Sequence, residues 1–263
     1  MKQDAARLLD SAAISGVYLF PQPRTVADPC IVGIGEIELA CYRRIVQTDW
    51  LTLVHFHGNG EAIADYVPEM ADAFARLNLN SLFVEYRGYG GSTGKAQLVS
   101  MLGDGQTVLE SLGIVAEKAI VFGRSIGSLY AIELVQRQPN VAGLILESGI
   151  ADPAERFLAY ADVNTLGCTP DEVRTAANCF FDHQKKLSNY RGPTLIMHTE
   201  GDQMVDVSHA ERNYQWVGAS CKRLLRFVQG DHNSIMAWNQ QEYFEAIERL
   251  VVAIHEWREG RVV

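Results

Sequence analysis

The sequence predicts an α/β protein built on one mostly parallel sheet with helices on both faces. Three observations carry that expectation. Short, near-continuously apolar runs recur along the chain, most of them end in glycine, and most lead into a stretch of helical periodicity. Strands of a parallel sheet read this way because helices cover both of their faces.

Taken in order, residues 31–46 alternate, with Glu36 and Glu38 followed by Ala40 and Tyr42, and read as an antiparallel pair at one edge. Residues 51–56 (LTLVHF) form the first buried run, ending at His57-Gly58-Asn59-Gly60, with an amphipathic stretch over 62–77. Residues 81–86 end in Arg87-Gly88-Tyr89-Gly90-Gly91 and precede a helical pattern over 97–112. Residues 119–122 run into Gly123-Arg124-Ser125-Ile126-Gly127 and a helix reaching Arg137. Residues 141–146, 194–198 and 224–228 supply three further strands, and a helix over 243–257 closes the chain. The interval 150–192 interrupts this rhythm. It has no strand of its own and carries Phe157, Leu158, Tyr160, Leu166, Phe180 and Phe181, the pattern of a lid or binding element inserted in one domain spanning 1–263. Its aromatic side chains have two possible uses, lining an acyl pocket or packing the insertion onto the core.

Composition narrows the class. The chain has 263 residues, 48% apolar and 21% charged, which disfavours disorder, and no uncharged apolar run reaches membrane-spanning length. Its formal charge of −9 opposes phosphate backbones and anionic lipid surfaces. The expected partner is therefore a small molecule, with no nucleic acid and no stable membrane anchor; oligomeric state is left open. Residues 1–11 mix Asp4 and Asp10 with Lys2 and Arg7, and no leader-length apolar stretch follows. The five cysteines form no C-x-x-C pair. Both features fit a cytoplasmic protein with reduced thiols and no metal site.

The chemistry concentrates at Gly123-Arg124-Ser125-Ile126-Gly127, a G-x-S-x-G between a buried strand and a helix. Such a turn lifts a serine hydroxyl clear of the sheet, and glycine is needed on both sides because side chains there would collide. A serine hydroxyl needs a base and an orienting acid to attack at neutral pH. Of seven histidines, His232 alone lies just beyond the last strand, where carboxyl ends of parallel strands converge. Asp202, in the turn after the 194–198 strand, is the favoured acid, giving the order Ser…Asp…His. Glu147, at the end of the 141–146 strand, competes with it, and Asp206 reads as a helix cap. The Ile126 amide and the Asn59 amide are the expected pair of oxyanion donors.

These pieces resemble a serine hydrolase of the α/β-hydrolase superfamily, in the branch of palmitoyl-protein thioesterase-like and serine aminopeptidase-like esterases. The matching segments are HFHGNGE at 55–61, EYRGYGGSTG at 85–94, GRSIGS at 123–128, GDQMVDVSHA at 201–210 and GDHNS at 230–234. The resemblance implies the α/β-hydrolase fold with a small helical lid over about 150–192. It also implies a triad of Ser125, Asp202 and His232, oxyanion amides from Asn59 and Ile126, and no metal or organic cofactor. It further implies that Tyr86 to Gly90 lines the site. The chain departs from the pattern at Asp231, where glycine is usual, in its longer 150–192 interval, and in lacking an N-terminal cysteine cluster.

The expected function is hydrolysis of carboxylic esters or thioesters through an acyl-enzyme. An aminopeptidase or amidase would use the same triad. A hydrolase-fold binding protein without catalysis is the reading from another class, and inactivity on every activated ester would favour it.

Overall fold

A computed structural model describes residues 2–162 and 167–261. Its sheet has eight strands: β1 (Cys30–Ile34), β2 (Ile37–Arg44), β3 (Thr52–Phe56), β4 (Asn80–Val84), β5 (Ala119–Arg124), β6 (Gly143–Glu147), β7 (Thr194–Thr199) and β8 (Lys222–Phe227). Their spatial order is β1-β2-β4-β3-β5-β6-β7-β8. The first two form an antiparallel pair, with Ile34 opposite Ile37, and β2 runs antiparallel to β4, with Tyr42 opposite Phe83. All remaining pairings are parallel. The expected edge pair and parallel body are both present.

Eleven α-helices lie among the described residues: α1 (Lys2–Leu9), α2 (Ser15–Tyr18), α3 (Glu69–Arg76), α4 (Asp104–Ser111), α5 (Gly127–Arg137), α6 (Pro153–Tyr160), α7 (Pro170–Phe181), α8 (His183–Asn189), α9 (Ser208–Trp216), α10 (Ile235–Trp238) and α11 (Gln240–Arg258). None of the described helices is long and apolar enough to cross a membrane.

The apolar runs divide between two layers because successive side chains of a strand point to opposite faces. Val54, Phe56, Val121, Leu144 and Leu146 join the core under α5, with Leu129 and Ile132 of that helix. Leu53, Ile120, Phe122, Ile145 and Leu195 join the core under α3 and α11, with Phe74, Ile247 and Ile254. Each run is apolar throughout because it feeds two cores at once.

Two expected helices differ from their patterns. The 62–77 stretch divides into a 3₁₀ turn at Ile63–Asp65 and α3, with Pro68 at the boundary. Proline lacks the N–H a continuous helix would use and disfavours helical backbone before it. The 97–112 stretch is helical only from Asp104. Upstream, the Leu98 amide donates to Ser15 Oγ, and the Val99 and Ser100 amides donate to Asp10. Tertiary acceptors from the N-terminal segment thus take donors that the periodicity assigns to a helix.

The interval 150–192 holds α6, α7 and α8. Phe157 and Phe181 are buried in the main core, their rings 5.6 Å apart, and Tyr18 packs edge-on against Phe157. Tyr160 stays half-exposed. Leu166 lies outside the described residues.

Candidate active site

The turn between β5 and α5 holds Ser125 at φ +51°, a left-handed conformation that serine adopts only under tertiary constraint. The constraint is visible around it. The Ser125 amide donates to the Glu147 carbonyl at 2.8 Å, docking the turn on the end of β6. A Cβ on Gly123 would stand 2.7 Å from the Gly127 carbonyl oxygen and from Ser128 Cα. One on Gly127 would fall inside contact distance of the Phe56 carbonyl oxygen. The glycine requirement inferred from the pentapeptide is therefore steric: α5 begins against the backbone of β3.

His232 lies beyond β8, and its Nε2 is 2.9 Å from Ser125 Oγ. Its Nδ1 is 2.7 Å from Asp202 Oδ2. All three residues are buried. The other oxygen of Asp202 accepts the Met204 and Val205 amides at 2.9 and 2.8 Å, which fixes the carboxylate plane. His198, buried at the end of β7, places its Nε2 3.3 Å from Asp202 Oδ2 and 2.7 Å from the Val205 carbonyl. Burial works against the charged form of Asp202. The hydrogen bonds from His198 and His232, with the positive character of His232 and the Val205 amide, outweigh it and hold the carboxyl well below the usual carboxylate range.

The loop after β3 is braced from several directions. His57 Nε2 meets Glu85 Oε1 at 2.7 Å with both side chains fully buried, and Tyr86 donates its hydroxyl to the His57 carbonyl at 2.7 Å. The Asn59 side chain accepts the Phe20 amide at 2.9 Å and the Tyr89 hydroxyl at 3.1 Å, and donates to the Tyr18 carbonyl at 2.5 Å. The backbone amides of Asn59 and Ile126 have no acceptor among the described residues.

The family model described as "Serine aminopeptidase, S33" matches residues 50–169. Among curated proteins, the chain is 28% identical over 189 residues to the α/β hydrolase domain-containing protein aho-3 of Caenorhabditis elegans, covering 70% of this chain and 53% of that one. It is 27% identical over 207 residues to the α/β hydrolase domain-containing protein 17B of Homo sapiens, covering 76% and 66%. The chain thus spans about half to two thirds of these relatives. Among solved structures, the Pyrococcus furiosus esterase Pf2001 superposes with a TM-score of 0.69 at 15% identity, over 89% of this chain and 98% of that one. The esterase RhEst1 of a Rhodococcus species does so at 0.64 and 18%, over 85% and 98%. The chain has the α/β-hydrolase fold.

Within this fold, Ser125, Asp202 and His232, far apart in sequence, meet at the carboxyl ends of β5, β7 and β8. Glu147, the competing acid, does not face His232. It pairs with Arg124 and accepts the Tyr243 hydroxyl on the α11 side of the sheet. Asp206 accepts the Ser208 amide at the start of α9. Asp231 accepts the Asn233 and Ser234 amides and so shapes the turn that presents His232. Sequence reasoning did not find His198, Glu85, Glu61 or Arg124. Each sits inside a motif or strand already noted, but nothing local distinguishes a buried partner from an exposed one.

Proposed function

We propose that this protein is a serine hydrolase that cleaves carboxylic esters or thioesters through an acyl-enzyme. Ser125 Oγ attacks the substrate carbonyl while His232 Nε2 takes its proton. Asp202 keeps the His232 proton on Nδ1 and stabilises the imidazolium that forms. The Asn59 and Ile126 amides receive the oxyanion, the second at the start of α5, where the helix dipole adds to it. His232 then protonates the leaving group, and a water deprotonated by the same nitrogen hydrolyses the acyl-serine. The observation that carries the reading is the continuous line from Ser125 through His232 to Asp202, 2.9 and 2.7 Å. Relatives in fold described as esterases and, from Paleococcus ferrophilus, as a monoacylglycerol lipase are compatible with it.

The test is labelling of the purified protein by a fluorophosphonate, together with turnover of p-nitrophenyl esters and acyl thioesters of increasing chain length. Labelling and turnover are expected for the wild type and lost in Ser125→Ala. Labelling that persists in the variant refutes the assignment. An aminopeptidase or amidase reading has support in the description of the family model matching residues 50–169. Turnover of amino-acid naphthylamides faster than of any ester would favour it.

A further inference from the structure

Arg124 occupies the variable position immediately before the serine and is buried, its side chain only 8% exposed. Nη2 is 2.9 Å from Glu61 Oε1 and 3.4 Å from Asn233 Oδ1, and Nε is 3.4 Å from Glu147 Oε1. Each partner lies beside a member of the reacting constellation. Glu61 accepts the Gly58 amide at 2.5 Å, one residue before the Asn59 donor, and also takes the Tyr66 hydroxyl. A Cβ on Gly58 would stand 2.6 Å from Glu61 Oε2, so the carboxylate is seated directly against that backbone. Asn233 follows His232. Glu147 is the neighbour of Arg124 across β5 and β6, and its carbonyl holds the Ser125 amide.

We propose that Arg124 is a positioning residue that locks the oxyanion loop, the nucleophile turn and the base loop into one geometry, a role that rests on the serine-hydrolase reading above. The physical reason is the guanidinium fork. Its donors lie in one rigid plane and reach three separate segments at once, whereas an ammonium is a single point on a flexible stem. Arg124 and Glu147 are buried and Glu61 is only partly exposed, so removing the cation leaves two neighbouring carboxylates uncompensated. Glu61 then keeps only the Gly58 amide and the Tyr66 hydroxyl against repulsion from Glu147, and as it shifts the Asn59 amide moves from the place the oxyanion needs. The Arg124 guanidinium meets Glu61, Glu147 and Asn233 rather than Ser125 Oγ, His232 or Asp202.

The prediction is tested on the full chain with p-nitrophenyl butyrate, reading kcat, KM and thermal melting together. Arg124→Met is expected to lower kcat by about 100-fold, the scale of a sub-ångström to ångström misplacement of catalytic groups, with KM nearly unchanged. Arg124→Lys recovers only part of the loss. Adding Glu61→Gln to Arg124→Met costs little more, because both act through one contact. A cavity of about 210 Å³ borders the cluster, lined by Arg124, Glu61, Glu147, Tyr66, Asn233 and Tyr243. Millimolar guanidinium chloride is therefore expected to restore kcat in Arg124→Ala, while sodium chloride at equal ionic strength does not; a purely structural role would show no such rescue. A folded Arg124→Met with kcat within about threefold of wild type, fully additive losses with Glu61→Gln, or no guanidinium rescue each overturns the proposal. If Arg124→Met does not fold, Glu61→Gln decides, and wild-type kcat there overturns it. A wild type unlabelled at Ser125 by fluorophosphonate strikes the triad reading, whereas a labelled wild type with unimpaired Arg124 variants strikes only this one.

Discussion

Asp202 carries more of the site's organisation than its place in a surface turn suggests. Both of its oxygens are occupied, one by two backbone amides and the other by His232 and His198. Asp202→Asn keeps the shape but can no longer hold the His232 proton on Nδ1, and kcat is expected to fall by about 10³–10⁴-fold. Because its carboxyl is held below the usual range, Asp202 stays ionised well into acid, so the acid limb of a kcat profile is not expected to report this group. Stopped or steady-state kinetics across the acid range on wild type and variant would check both statements. Gly127 makes the complementary point about space. In Gly127→Ala the new methyl meets the Phe56 carbonyl oxygen, a backbone atom with nowhere to go. The helix must shift, so loss of fluorophosphonate labelling together with a lower melting temperature is expected. The glycines on each side of the serine were legible in sequence because sterics at a sharp turn depend on neighbours in the chain. The partners of Asp202 were not, because His198 reaches it only once β7 and the following turn are folded.

At the scale of elements, the α6–α8 interval is held by buried neutral histidines. His183, at the start of α8, donates from Nδ1 to the Ile150 carbonyl at 2.8 Å, and burial pushes its pKa down to about 3. His209, on α9, accepts the Ala151 amide on Nδ1 at 3.0 Å, and burial, with Arg212 nearby, pushes it down to about 4. Below the ordinary value of 6.5 the unfolded chain binds protons that these folded side chains refuse, so stability is complete above pH 6.5 and falls as pH drops toward 4. At pH 4.5 the separation for His183 already corresponds to about 2–3 kcal/mol. Melting temperatures recorded from pH 7.5 to 4.5 are expected to decline, and His183→Asn, which keeps a side-chain donor for Ile150 but does not titrate, is expected to flatten the slope. A helical insertion over this interval was expected from the family resemblance, whereas the residue pattern by itself marked a long strandless excursion. Its caps are clear in retrospect: Asp152, Thr169 and Asp182 each accept an amide three residues on. What local pattern did not carry is that Phe157 and Phe181 belong to the main core, because that depends on Tyr18 arriving from the other end of the chain.

At the scale of the whole molecule, the N-terminal segment ties layers together. Leu9, Ile14, Tyr18 and Leu19 are buried, α1 packs on α7, and residues 18–20 bind the Asn59 side chain. Ile14→Ala is expected to cost about 2–5 kcal/mol of stability, read by denaturant unfolding, because a fully buried side chain is replaced by a cavity. The strands, their parallel arrangement and the choice of Ser125, Asp202 and His232 as the residues that meet came from the sequence. Apolar runs covered on both faces are near-continuous, and residues that follow parallel strands converge at one end of the sheet. Only the tertiary structure decided that Glu147 turns away from His232 toward Arg124 and Tyr243, that the 97–112 pattern yields a helix only from Asp104, and that Arg124 meets Glu61, Glu147 and Asn233 at once. Those outcomes depend on which side chains meet across the folded sheet, and on which backbone donors are already taken, and neither is written in the periodicity of any one segment.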